Sequence, residues 1–350
     1  MPAPSSVHFA TRLSYAAVGL APQRLAVWLV AFAVCIAASA PSAADEAPDE
    51  APDEARQRGE RLMLLSADGE ECRELCIVPG YPSIGSPTFS PDGAFIAMDG
   101  IAPGRQLGDT ALLVIRSDGT ELKVLGDGGM PSWSADGKQI AFSRWGNETY
   151  GVWVMDASGD PASARLIDSA GWGIQWSPDG RFWAYQKAGQ LVIRNVETGR
   201  VVRQPPPSSA LPIQWTWNFA WAPDSRSLCS VVRLPNGQEA VAVQKLAIPL
   251  AEAQPERAAD DDGPLARMPV GDVRLLCTGD EFDEDIAWHP SGRRVTFTGH
   301  SVALDKRQVY ECDPTRDGMP QILPGQTATH NVDQCWSPDG TKMVYIAQFD

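Results

Sequence analysis

Residues 174–185 read IQWSPDGRFWAY, and this stretch decides the fold because its pattern occurs six times along the chain. Each copy contains an aromatic residue, a turn resembling Ser-Pro-Asp-Gly, and then a run of residues typical of a β-strand. The six repeat aromatics, at intervals of 44, 43, 45, 67 and 48 residues, are Phe89, Trp133, Trp176, Trp221, Trp288 and Trp336. A period in the mid-forties is typical of a four-stranded propeller blade.

The turn has a local physical basis. Pro fixes φ near −65°, Asp accepts hydrogen bonds from nearby backbone groups, and Gly adopts the left-handed conformation that closes a hairpin. A second hairpin follows each of the first five copies, and alternating apolar residues predict its strands. These third and fourth strands are predicted within 111–125, 150–167, 190–202, 239–248 with 273–277, and 307–313 with 321–325.

The sixth copy has no such hairpin after it, because its second strand runs to Asp350. The missing pair is present near the other end of the chain, where 61–69 and 72–80 have the same strand, turn and strand layout. The sequence therefore predicts an all-β fold over 59–350, a six-bladed β-propeller of four-stranded blades. In this prediction the N-terminal strands complete the C-terminal blade, which removes exposed sheet edges.

Residues 1–44 contain no acid and include an apolar run, Leu25–Ala40, of about 16 residues. Such a run fits the core of a signal peptide and is short for a membrane span of about 20 residues. Ser42 and Ala44 favour cleavage before Asp45, while an uncleaved N-terminal anchor stays open as the only predicted contact with a membrane. The acidic, Pro-containing stretch 45–58 is expected to be an extended, disordered linker. We therefore expect an exported, periplasmic or extracellular protein.

The chain is acidic, with 29 Lys and Arg against 44 Asp and Glu and a formal net charge of −15. This balance argues against non-specific nucleic-acid binding, which needs cationic side chains to neutralise phosphates. After cleavage six cysteines remain, and their spacing matches no zinc pattern. Buried thiols or one or two disulfides are both open, and 15 complete pairings are possible.

The repeats resemble those of the TolB-like β-propellers, whose WD-repeat-like modules have the form W-S-P-D-G-x-x-I-A-F. The resemblance covers about 290 residues from Arg61 onward, and copies four and five depart from it at Ala222, Ser225, His289 and Ser291. It implies a propeller fold rather than one activity. Before the first predicted strand there is too little chain for the α/β domain of bacterial TolB. The G-x-S-x-G motif of the hydrolase domain in propeller peptidases is not found, so a non-enzymatic protein is expected.

Aromatic side chains form the first candidate site, on the face where loops open around the predicted channel. A tentative binding surface for a partner or ligand consists of Trp145, Trp172, Trp215 and Trp217, with Arg144 and Tyr150 beside them. Flat amphipathic rings supply a large contact area. The alternative is packing between blades, because Trp215, Trp217, Phe219 and Trp221 share one strand parity, as do Trp172, Ile174 and Trp176.

An acidic loop forms the second candidate site. A tentative metal site consists of Asp280, Glu281, Asp283 and Asp285, beside Glu284 and with His300 and Asp333 expected nearby. Such carboxylates could bind Ca²⁺, which takes six to eight oxygen ligands, although the loop is not an EF-hand and a solvated face is the simpler interpretation. No other cofactor is predicted.

The preferred hypothesis from the sequence is an exported monomeric binding or scaffold protein that recognises a protein or peptide at the channel face. The alternative is an enzyme resembling a polysaccharide lyase or hydrolase, with acids and His300 or His330 at the channel mouth.

Overall fold

The computed structural model describes residues 59–350 except 147, 189, 203–212, 249–270, 280–281, 302–303, 317 and 350, and excludes the side chains of 107, 217, 283 and 284. In this part of the chain there are 24 β-strands and two short 3₁₀ turns, Leu107–Asp109 and Pro161–Ser163. The predicted all-β class is therefore confirmed. Within the described ranges, no helix has the length and apolar character needed to cross a membrane. The predicted signal segment, and the linker up to residue 58, lie outside the described residues.

The strands form antiparallel hairpins in chain order. The N-terminal hairpin consists of β1 (Arg61–Ser66) and β2 (Cys72–Ile77). Sheet one then contains β3 (Ser83–Phe89), β4 (Phe95–Ile101), β5 (Ala111–Arg116) and β6 (Lys123–Asp127). Sheet two contains β7 (Gly129–Trp133), β8 (Gln139–Arg144), β9 (Gly151–Asp156) and β10 (Arg165–Asp168). Sheet three contains β11 (Gly171–Trp176), β12 (Phe182–Lys187), β13 (Gln190–Asn195) and β14 (Val201–Val202). Sheet four contains β15 (Gln214–Trp221), β16 (Ser227–Arg233), β17 (Glu239–Lys245) and β18 (Val273–Gly279).

The remaining strands belong to an eight-stranded sheet that also takes in β1 and β2. Its other members are β19 (Phe282–Trp288), β20 (Val295–Ser301), β21 (Lys306–Cys312), β22 (Gln321–Ile322), β23 (His330–Trp336) and β24 (Lys342–Gln348). One parallel pair, Arg307 with His330, joins β21 to β23. β1 pairs with β24 antiparallel over its whole length, with Arg61 opposite Ala347 and Ser66 opposite Lys342.

The repeated turn is held by its own side chains. In the first copy Ser90 Oγ donates to Asp92 Oδ1 at 2.6 Å, and the same Oδ1 accepts from the Ala94 N–H at 3.0 Å. Gly93 has the left-handed φ of 70° that the sequence predicts. The Ser-to-Asp bond recurs in copies two, three and six. The motif is thus a structural turn, which explains why it specifies fold rather than chemistry.

Copies four and five solve the turn differently. Ser225 takes the left-handed position at φ 55°, and its Oγ accepts from the Asp179 N–H in the previous turn at 3.0 Å. In copy five His289 Nδ1 lies 2.7 Å from Ser291 Oγ, and His289 Nε2 lies 3.0 Å from the carbonyl oxygen of Gly340 in the next turn. Both departures therefore replace a bond within one turn by a bond between turns.

Hydrophobic clusters lie between neighbouring sheets. Val154 of sheet two packs with Ile174 and Trp183 of sheet three. Ile346 of β24 packs with Ile96 of β4, so the last strands are joined to sheet one in the same manner. The core is therefore divided into clusters of similar composition rather than gathered into one centre.

We call the strand that carries each repeat aromatic the leading strand. Each leading strand contacts the next one along the chain, and β23 contacts β3. All six contain a register shift. In four of them the shift is one extra residue with left-handed φ, namely Ser86, Met130, Gly173 and Asp333. The extra residue lies three positions before the repeat aromatic in each case, so the bulge is as periodic as the turn.

Candidate functional site

Three of the predicted aromatic residues come together where sheets two and three meet. Trp145 follows β8, Tyr150 precedes β9, and Trp172 lies in β11. The ring centroids of Trp145 and Trp172 are 3.8 Å apart with a tilt of 52°, and Tyr150 stacks on Trp172 at 5.8 Å. Trp172 is only 7% exposed, whereas Tyr150 is 41% exposed and Trp145 is half-buried. We call these three rings the aromatic platform.

Arg144 supports the strand beneath the aromatic platform. Its guanidinium lies over the rings of Phe142 and Trp153, 5.1 and 4.6 Å from their centroids. Its Nε donates to the Asp127 carbonyl at 3.1 Å, and partial burial lowers the pKa of the guanidinium. Arg144 therefore ties β8 to the end of sheet one.

The other two predicted tryptophans lie on β15. Trp215 is partly buried against the cluster of Val232, Ala240 and Ala242, away from the aromatic platform's members. The side chain of Trp217 lies outside what the structure describes. The register shift between Trp215 and Phe219 interrupts the strand, so the shared parity that suggested packing does not extend along all of β15. The same holds for β11, where the shift falls between Trp172 and Gln175.

A group of carboxylates lies at the bulges of the leading strands. The Asp333 N–H donates to Asp285 Oδ2 at 3.3 Å, and the Ser86 N–H donates to Asp333 Oδ2 at 3.2 Å. The Met130 N–H donates to Asp99 Oδ2 at 2.8 Å. Each bond joins one leading strand to the preceding repeat. We call this series the bulge belt.

Burial sets the protonation of the bulge belt. Asp333 and Asp99 keep some accessible surface, but the surrounding protein removes most of their hydration. This desolvation raises the pKa of Asp333, and the neighbouring carboxylate of Asp285 raises it further because the two side chains share a hydrogen bond. Desolvation also raises the pKa of Asp99, against the lowering effect of the Met130 N–H. Like-charged carboxylates this close favour a shared proton.

The predicted acidic loop is described only in part. Asp280 and Glu281 lie outside the described residues, and the side chains of Asp283 and Glu284 are not described. Asp285 lies beside Asp333, as expected, and its Oδ1 accepts from Asn218 Nδ2 at 3.4 Å. Among the described residues, no three His, Cys, Asp or Glu side chains are grouped as a metal site would require. The Ca²⁺ hypothesis stays a prediction.

The two histidines of the alternative enzyme hypothesis lie on neighbouring strands. His300 Nε2 is 3.3 Å from Asp305 Oδ1, and His330 Nδ1 accepts from the Arg307 N–H at 3.3 Å. Both imidazoles are therefore engaged with β21 or the loop before it.

Sequence reasoning missed Asp99 and Ser143, which accept the bulge N–H groups of Met130 and Gly173. The available signal was their position, since each is ten residues after a repeat aromatic. A polar residue at that position falls on the second strand, directly opposite the bulge.

No protein-family model and no functionally curated protein matches the sequence. Solved structures do match in fold. A TolB protein from Agrobacterium tumefaciens aligns with a TM-score of 0.58 at 16% identity, over 83% of this chain and 99% of that one. TolB from Acinetobacter baumannii aligns with a TM-score of 0.54 at 15% identity, over 84% of this chain and 65% of that one, so this chain spans under two thirds of that protein. At such identities the likeness concerns fold alone, and it confirms the predicted resemblance: the chain has the β-propeller fold of the TolB-like proteins.

Proposed function

We propose that this chain is an exported binding protein that recognises a protein or peptide partner through the aromatic platform. The observation that supports this most is the contrast in burial within the platform, where a buried Trp172 carries the more exposed rings of Trp145 and Tyr150. Rings held in this way present a large apolar area with little entropy left to lose, which is typical of residues that dominate binding energy.

The scaffold of this function, in our proposal, is a closed ring of six blades. Sheets one to four supply four blades, β19 to β22 the fifth, and β23, β24, β1 and β2 the sixth. The pairing of β1 with β24 and the contact of β23 with β3 support this arrangement. Truncation tests it, because removing 345–350 or 57–78 should abolish cooperative unfolding, whereas a chain that starts at residue 57 should melt like the parent. A truncated blade that melts cooperatively at the parent's temperature would contradict the ring.

Export is the second part of the proposal. The apolar run Leu25–Ala40 and the small residues before Asp45 support it. N-terminal sequencing of the protein recovered from its native cell is the test. A mature chain that begins at Asp45 fits export by cleavage, and an intact residue 1 in a membrane fraction fits the N-terminal anchor instead.

A peptide library displayed on phage tests binding at the aromatic platform. We expect peptides enriched on the parent to bind at least tenfold more weakly to a Trp145→Ala, Tyr150→Ala double variant. Val124→Ser is the matched control, because Val124 is 55% exposed on β6, outside the aromatic platform. Both proteins should first be shown to melt near the parent temperature.

The outcomes separate cleanly. Equal loss in the control would show that general surface apolarity drives capture. Full binding by the double variant would show that the rings of Trp145 and Tyr150 only cover Trp172, as the packing interpretation holds.

A further inference from the structure

Three cysteines lie in one hydrophobic cluster between sheet four and the strands that follow it. Cys229 is on β16, Cys277 on β18 and Cys312 on β21, and they pack with apolar side chains that include Val241 and Phe297. Cys229 and Cys312 are buried, and Cys277 keeps partial exposure. The sequence gave no pairing for these residues, because Cys277 and Cys312 are 35 positions apart with a repeat aromatic between them.

Within this cluster two thiols are engaged with each other. The side chains of Cys277 and Cys312 share a hydrogen bond. Cys229 instead donates to the Ala220 carbonyl on its own sheet at 3.6 Å. The pair therefore bridges two sheets, while the third thiol is held within one.

The other cysteines have different neighbours. Cys72 Sγ lies 3.3 Å from the hydroxyl of Tyr345, in a cluster with Leu65. Cys76 and Cys335 pack in a separate cluster with Ile96, and both thiols are strongly desolvated. Cys72 and Cys76, the one close pair in sequence, thus belong to different clusters.

We propose that Cys277 and Cys312 are a disulfide-forming pair that covalently ties sheet four to β21. The oxidant is a small-molecule disulfide such as oxidised glutathione. The Cys277 thiolate attacks one of its sulfurs and releases one glutathione thiolate, leaving a mixed disulfide. Cys312 then loses its proton, and its sulfur attacks Cys277 Sγ and releases the second glutathione. The two protein thiols are oxidised by two electrons, and glutathione disulfide is reduced to two thiols.

The environment fits this order of events. The hydrogen bond from Cys312 lowers the pKa of the Cys277 thiol, and Cys277 is the more accessible of the two, so it is the better first nucleophile. The same contact, with burial, raises the pKa of Cys312, so this thiol reacts only once it is brought against a mixed disulfide. This step does not depend on the aromatic platform or on export.

Peptide mass mapping of the full chain tests the pairing without any variant. Trypsin places the six cysteines on six different peptides, with Cys277 on 275–293 and Cys312 on 308–316. After incubation in oxidised glutathione and alkylation of free thiols, we expect these two peptides as one species, lighter than their sum by two hydrogens. The oxidised chain should also melt several degrees higher than the reduced chain, because the bond closes a loop in the unfolded state.

Two controls make the result specific. Cys277→Ala should abolish the linked species and the rise in melting temperature, whereas Cys335→Ala should retain both. Recovery of 275–293 and 308–316 as separately alkylated peptides, or linkage of Cys312 to Cys229 instead, would overturn the proposal.

Discussion

The backbone N–H of Ser86 donates a hydrogen bond of 3.2 Å to Oδ2 of Asp333, a residue 247 positions away. The bond joins the first leading strand to the last one, and it ends on a carboxylate that also shares a hydrogen bond with Asp285. The contact between the two ends of the repeat array therefore depends on a buried acidic group, and its strength should vary with pH.

Asp333 should make the protein less stable as pH rises. Folding raises its pKa, so the folded chain holds the proton more tightly than the unfolded chain. Stability is then greatest below the unfolded pKa and is lost as pH rises through the folded pKa. We expect Asp333→Asn to reduce the fall in melting temperature between pH 4 and pH 8. Asp118→Asn, at an exposed turn, is the control and should keep that fall, whereas an identical pH profile for Asp333→Asn would refute the idea.

The turn of copy six should behave in the opposite sense. Asp339 accepts hydrogen bonds from Ser337 Oγ and from the N–H and hydroxyl of Thr341, which lower its pKa to about 2. Its stabilisation is present above the unfolded pKa and is lost as pH falls toward pH 2. Asp339→Ala should lower the free energy of unfolding by about 1 kcal/mol at pH 7.

Urea unfolding at pH 7 and pH 2.5 measures the effect of Asp339→Ala. The difference from the parent should shrink at the lower pH, and the exposed turn variant Glu197→Ala should show little difference at either pH. A loss of stability that is independent of pH would mean that the aspartate ion is not what holds the turn.

His289 should make the protein sensitive to mild acid. Burial lowers the pKa of its imidazole, so its contribution is present above the unfolded value of about 6.5 and is lost as pH falls below it. The neutral ring donates from Nε2 to the Gly340 carbonyl and accepts at Nδ1 from the Ser291 N–H. His289→Ser should cost about 1 kcal/mol at pH 7.5 and less at pH 5. Equal costs at the two pH values would argue against this assignment of the ring.

Glu60 should be the most sensitive position just before β1. Its Oε2 accepts from the Ile84 N–H at 2.6 Å, and its Oε1 accepts from Gln348 Nε2 at 2.7 Å. One side chain thus joins the N-terminal segment to sheet one and to β24. Glu60→Ala should lower the free energy of unfolding by about 1–3 kcal/mol, because it leaves a buried N–H without its partner. The exposed Glu70→Ala is the control, and a loss no larger than in that control would contradict the role.

Much of the fold could be predicted because its determinants are local. Pro, Asp and Gly encode each turn within four residues, and the strand pattern repeats with a fixed period. The bulges could not be predicted, because Ser86, Met130 and Asp333 adopt left-handed φ without being glycine. What favours that conformation is a side-chain acceptor elsewhere in the chain, and no local pattern records such a partner.

The candidate site shows the same limit. Trp145, Tyr150 and Trp172 could be predicted to share one face, since their positions relative to the repeat aromatics are known. Their relative burial could not, because it depends on how the loop after β8 lies over sheet three. The thiol pair Cys277 and Cys312 was likewise hidden, since it is formed by two strands that are not paired with each other.

The pairing of Arg61 with Ala347 also bears on engineering. Because the two ends of the described chain lie side by side, a short Gly-rich linker could join Phe349 to Gly59 and leave every strand pair in place. New termini could then be opened at an exposed hairpin tip such as Gly119. Such circular permutants would allow a fused reporter to be placed beside any chosen sheet.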